Sequence, residues 1–189
     1  MNNINQLAGI ILSAVSLTVS PVALSSERNH HEQREHGAHE HGSATLNIAI
    51  EENSLHIELE SPAMNIVGFE HAASNEKQNT TVTQATQALK EAPKQFVLPA
   101  AAQCILAEAH VESPLLNNQH NKKKHAEKHS EFHASYIFNC KNVSALNTIN
   151  VRLFETFKGM NDIDVQLISS QGQTTKELTK NRPILVIKP

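Results

Sequence analysis

Two short stretches of this 189-residue chain repeat with a period of two, and they constrain the fold more than anything else in it. Ala44, Leu46, Ile48 and Ile50 interleave with Thr45, Asn47, Ala49 and Glu51. Leu55, Ile57 and Leu59 interleave with His56, Glu58 and Glu60. That period belongs to half-buried strands. Glu52-Asn53 between them reads as a turn, so the pair predicts a β-hairpin. Pro62 ends the second strand, and residues 65–69 (NIVGF) form a short apolar connection. Across residues 75–91 the apolar positions Val82, Ala85, Ala88 and Leu89 share a helical face, predicting a helix that stops before Pro93. Its threonines oppose the helix mildly, because a β-branched side chain loses χ1 freedom there. Residues 104–111, 132–140, 149–157, 163–168 and 184–187 read as further strands. The expected class is α+β: a mostly antiparallel β-sheet with one main helix, in a single compact domain. One Tyr, six Phe and no Trp allow only a modest core.

Two segments cannot contribute to that core. Residues 26–42 (SERNHHEQREHGAHEHG) hold five His, many charges and no aliphatic larger than Ala. Nothing in them repays the entropy of ordering, so a flexible arm is expected. Residues 113–130 are polar, basic and His-rich, and a stretch of that length inside a compact domain is functional or disordered. A disordered loop is expected there, interrupting a domain of residues 43–189.

The amino terminus addresses the chain. Residues 7–19 (LAGIILSAVSLTV) form an apolar run shorter than the roughly 20 residues of a membrane span. Ala23 and Ser25 place small residues where a signal peptidase requires them, so residues 1–25 are expected to be a signal peptide. No Lys or Arg precedes the run, which keeps an uncleaved anchor as the alternative. No second run of spanning length follows, so the mature protein is expected to be soluble and periplasmic. Cys104 and Cys140 agree with export, since an even pair in an oxidising compartment forms a disulfide. A metal-ligating pair is the rival reading, but a spacing of 36 residues has no CxxC character. A net charge of −3 excludes the basic footprint of a nucleic-acid binder.

Histidine is the compositional anomaly. There are 12, all between His30 and His133, where average usage gives roughly four or five. Neutral imidazole suits zinc, nickel and copper. In His36-Gly-Ala-His39-Glu-His41-Gly42, His39 and His41 project to one side of an extended segment and can grip one ion. Glu35 and Glu40 supply oxygen ligands or acceptors that orient a ring. The bland alternative is a solvated tail that binds any divalent ion weakly, and His30 and His31 share it. His71 follows Gly68-Phe69-Glu70; a lone His after Phe is more often a structural hydrogen-bonding residue than a ligand. His120, His125, His129, Glu131 and His133 form a third group. Spacing of four stacks His125, His129 and His133 on one helical face; in a strand, His129, Glu131 and His133 share a face instead. Lys122 to Lys124 mark part of this loop as a low-affinity collector. His56, beside Glu58 and Glu60, reads as a solvated face, and His110 as structural. Three Met and no free thiolate serve copper(I) poorly, whereas imidazole with carboxylate suits zinc first, then nickel or copper(II). Affinity falls as pH drops through about 6.5, because protons compete for the same nitrogens.

Residues 40–49 (EHGSATLNIA), 55–62 (LHIELESP) and 65–71 (NIVGFEH) resemble the ZrgA family of bacterial periplasmic zinc-uptake proteins. The resemblance continues through residues 99–106 (PAAAQCIL), His129-Ser130-Glu131-Phe132, residues 136–140 (YIFNC) and residues 153–157 (LFETF). It implies zinc binding in the periplasm, expression linked to zinc shortage, and service to an ABC-type zinc importer. Carried over by position, His39 and His41 fit the family's HxHG element, His71 its GFEH element, and His129 with Glu131 its H-x-acid-F element. The family often has Asp where this chain has Glu131, one methylene longer, and Pro where it has Lys158. Its His-rich middle segment varies, which leaves His120 and His125 accessory, alongside His30, His31, His36 and His133. The expected protein is a zinc capture or chaperone protein whose partners are zinc and importer components, with no nucleic acid and no stable membrane insertion. It is not expected to be an enzyme: no HExxH pair occurs, and six glycines are few for the loops of a copper–zinc superoxide dismutase. An exported metalloenzyme and a nickel or copper sponge are the alternatives.

Overall fold

Alternation in the sequence becomes pairing in space. The computed structural model describes residues 40–116 and 130–187. β1 (Ser43–Glu51) and β2 (Ser54–Pro62) form the hairpin, with Leu46 opposite Leu59 and Ile48 opposite Ile57. The turn puts Glu52 at φ 49°, a left-handed conformation that a two-residue hairpin turn demands. Leu46, Leu55, Ile57 and Leu59 are wholly buried, so the hairpin's apolar face is the middle of the core.

β2 runs directly into α1 (Ala63–Val67), which Gly68 closes in a left-handed cap at φ 82°. α2 (Glu76–Lys90) begins at Asn75, whose side chain accepts the Gln78 N–H. Val82, Ala85 and Leu89 are its buried stripe. The threonines that oppose this helix are accommodated: Thr81, Thr83 and Thr86 each donate a hydroxyl hydrogen bond to the carbonyl four residues back. Then follow α3 (Ala92–Gln95), β3 (Phe96–Val97), β4 (Cys104–Glu112), β5 (Glu131–Cys140), β6 (Thr148–Val151), α4 (Leu153–Thr156), β7 (Asp162–Ser169), β8 (Gly172–Thr179) and β9 (Ile184–Val186). The large sheet has the order β4-β5-β2-β1-β7-β8 and the small one β3-β6-β9. Every pairing is antiparallel except β1 with β7. Along β5, Phe132, Ala134, Tyr136 and Phe138 face inward, while the residues between them face solvent. The fold is therefore the expected α+β, antiparallel-dominated and with one long helix. Among the described residues no helix is long and apolar enough to cross a membrane.

Three elements depart from the sequence reading. The strand expected over residues 149–157 stops at Val151, and α4 follows. Alternation breaks there because Leu153 and Phe154 are adjacent and both buried, which a helical turn permits and a strand does not. The NIVGF connection is mostly helix α1. β8 goes unrecognised in the sequence because its first six residues are all exposed, so it carries no period at all. At the expected disordered loop, Pro114–Leu116 form a 3-10 turn with Leu115 buried. At its other end Ser130 is buried, and its carbonyl accepts the Ala63 N–H at 2.7 Å. Residues 117–129 lie outside the described residues, as do residues 1–39 with the expected signal peptide.

Cys104 and Cys140 are paired in a disulfide, directly opposite each other on β4 and β5 with Cα atoms 3.8 Å apart. Closing a loop of this length removes about 3–4 kcal/mol of unfolded-state entropy in the chain-entropy model. Replacing both cysteines by alanine should lower stability by about 3 kcal/mol, read as a fall in Tm of roughly 6–12 °C. Tyr136 offers the opposite case. Its ring meets Phe96 edge-on at 5.3 Å, burial holds its phenol well above the ordinary range, and its hydroxyl has no hydrogen-bond partner among the described residues. Tyr136→Phe removes a buried unsatisfied group and should raise stability by about 1 kcal/mol, measured by urea titration.

Candidate metal centre

The sheet register gathers three separate stretches at one end. Pro62 pairs with Glu131, and the β1–β2 register that sets Thr45 opposite Glu60 brings Ser43 beside Pro62. The first residues of β1 and β5 thus flank the last of β2. Since α1 is only five residues long, the Gly68-Phe69-Glu70-His71 segment stays near the same end.

His41-Gly42 is fastened there from two sides. The Gly42 N–H donates to Asn65 Oδ1 at 2.7 Å, and Asn65 Nδ2 donates to the Ser43 carbonyl at 2.7 Å and to Ser61 Oγ at 3.2 Å. Asn65 is only 2% exposed, so these bonds work in a dry setting where losing one is costly. On the other side the Gly42 carbonyl accepts from the Asn161 and Asp162 N–H groups. Gly42 must be glycine: its φ is 101°, and a Cβ there would lie 2.5 Å from Asn161 Nδ2. Gly159 is constrained likewise, because a Cβ would sit 2.8 Å from the Asn65 carbonyl oxygen.

From this clamp His41 reaches Glu70, with Nε2 3.1 Å from Oε1. Glu70 is mostly covered, at 16% side-chain exposure, while His41 is half exposed at 51%. Two arrangements of the pair suit zinc. If Nε2–H donates to Glu70, the Nδ1 lone pair is presented and the carboxylate orients the ring; if Nε2 binds the ion, a carboxylate oxygen stands beside it. His71 is set differently. Its Nδ1 lies 2.9 Å from the Ala72 carbonyl, which can only accept, so Nδ1 carries the proton and the neutral ring offers Nε2. Its ring stacks on Phe69 at 5.2 Å. An imidazole oriented by a backbone carbonyl is a common setting for a metal ligand.

Glu131, at the start of β5, turns to the outer face of the sheet, where its Oε2 is 3.2 Å from His133 Nε2. His133 Nδ1 is also 3.9 Å from Glu60. The described members of the expected ligand set are therefore grouped as His41 with Glu70 and Glu131 with His133, with His71 held by its own backbone. Among the described residues no three His, Cys, Asp or Glu side chains stand close enough together to hold a metal ion. His39 and His129 directly precede Glu40 and Ser130 in the chain and lie outside the described residues, together with His30, His31, His36, His120 and His125. Glu70, the partner of His41, has no role in the sequence reading. Its signal was the carboxylate beside His71 in GFEH, an acid next to a histidine as Glu35 and Glu40 are. Asn65 had no signal, since a buried Asn looks like any loop Asn until its partners are seen.

A match to the model of the family described as ZrgA family zinc uptake protein covers residues 38–187, a span that takes in every described residue. The chain belongs to the ZrgA family. No individual curated protein matches it. The matched span begins just before the HEHG element that Asn65 clamps and includes the GFEH and HSEF elements. Asn65→Ala should cost this ZrgA family member about 2–3 kcal/mol, because the Gly42 N–H and Ser43 carbonyl lose their buried partner. A lowered denaturant midpoint with an unchanged m-value is the expected result.

Proposed function

We propose that the chain captures zinc in the periplasm as a binding protein, without a catalytic step, and delivers it to an ABC-type importer. The observation that supports this reading is the His41–Glu70 pair, held by a buried clamp at the sheet end where the start of β1, the end of β2 and the start of β5 lie side by side. Zinc is the cargo, and imidazole with carboxylate is its ordinary donor set. His39, His41, His71, His129 and Glu131 are the proposed ligands, and Glu70 either joins them or orients His41. His30, His31, His36, His120 and His125 act as outlying collectors that raise the encounter rate. Residues 1–25 serve as the export signal, and the disulfide suits an oxidising compartment.

Competition of the mature chain against a zinc chelator tests the reading. His41→Ala and Glu70→Gln should each weaken the tightest zinc by about 10- to 100-fold, the usual effect of losing a ligand or the group that orients it. A variant with alanine at His30, His31, His36, His120 and His125 should keep one tight zinc, and its loss there would show that only the collectors bind. Retention should fall steeply below about pH 6, as protons take the imidazole lone pairs.

A further inference from the structure

The outer face of the large sheet carries a second set of ligand-bearing side chains. Across β4, β5 and β2 the register sets Glu112, His133 and Glu60 in one row and His110, Ser135 and Glu58 in the next. The bulge between Leu106 and Glu108 lies before these rows and shifts the β4 register by one residue. That shift places His110 and Glu112 on the face that His133 shares. Directly opposed side chains have Cβ atoms about 5 Å apart, and diagonal ones such as His110 and His133 about 7–8 Å, within reach of two rings that turn toward a shared point.

Local contacts follow this grid. His110 Nε2 lies 2.8 Å from Glu112 Oε1, and His133 Nδ1 lies 3.9 Å from Glu60 Oε1. The hydrogen bond from His110 holds the Glu112 carboxyl below its ordinary value, and His133 adds a smaller attraction. These residues line an open groove of about 210 Å³ with Glu58, and none of the residues lining it is Lys or Arg. Three carboxylates face two imidazoles with no fixed cation among them, so like charges repel across and along the strands. The side chains are exposed, from 48% for His133 to 71% for Glu112, and so are free to rearrange around an ion.

We propose that His110, Glu112 and His133, with Glu60 beside them, bind a second divalent cation of zinc's class on the open face of the sheet. Two imidazoles and a carboxylate are a three-ligand zinc set that leaves a position for water or for an incoming ligand. An ion held this way, at the surface and on mobile side chains, exchanges faster than one at the clamped sheet end. The site uses neither His41 nor His71; His133 also lies 3.2 Å from Glu131, a ligand proposed for the sheet end, so variants that leave His133 in place keep the two sites distinguishable.

Zinc titration of the full mature, oxidised chain, followed by the imidazole NMR signals of His110 and His133, tests this. Both signals should move together in one binding step. In the His110→Gln/Glu112→Gln double variant that step should weaken at least tenfold, with the tightest zinc unchanged; Glu112→Gln alone should weaken it less. Signals that stay still, or move in separate steps, overturn the proposal, as does a double variant that binds the same equivalents with the same affinities. Circular dichroism checks that these exposed substitutions leave the fold intact. His41→Ala separates the two readings: the paired response of His110 and His133 should persist in it whether or not the sheet end still binds, and a response lost there overturns the second site.

Discussion

One buried amide holds the sheet end together. Asn65 donates and accepts at once, joining the chain ahead of β1 to the end of β2 and to α1, its amide oxygen serving a backbone N–H while its nitrogen serves a backbone carbonyl. Gly42 is what allows the approach, since a side chain there would strike Asn161. The position of His41 is consequently set by buried backbone bonds and not by its own exposed ring. As a proposed ligand, His41 would need little reorganisation when an ion arrives, and less ordering entropy would oppose binding.

The two faces of the large sheet divide the chemistry. Inward, Leu46, Ile57, Leu59, Phe132 and Phe138 supply the burial that stabilises the fold. Outward, β2, β4 and β5 carry His56, His110, His133 and their glutamates, which contribute little to stability because solvent screens exposed ion pairs. Strand alternation makes this separation possible. A substitution on the outer face therefore leaves the packed face alone.

What could be read from residues alone follows the same physics. The hairpin, α2 and β5 were legible because each has one wet face and one dry face, which impose a period on the letters. β8 was not, being exposed along most of its length, nor was α4, where two adjacent buried residues end the alternation. The cysteine pairing was legible from compartment and spacing. The ligand pairing was only half so: motifs pointed to His41 and His71, but the partner of His41 is Glu70, and that depends on where α1 turns the chain. His110 was read as structural, yet it is an exposed residue beside Glu112, because the bulge in β4 that orients it leaves no mark in composition.

The covalent bond between Cys104 and Cys140 encloses the whole His-rich segment, which is also anchored at Leu115 and Ser130. That segment is thus part of a covalently closed ring. Its length enters the folding free energy only logarithmically, so doubling it costs about 0.6 kcal/mol. Histidines can be gained or lost between the anchors with almost no effect on the domain. A protease that cuts between them would leave two pieces still tied through sulfur, with β4 and β5 in register.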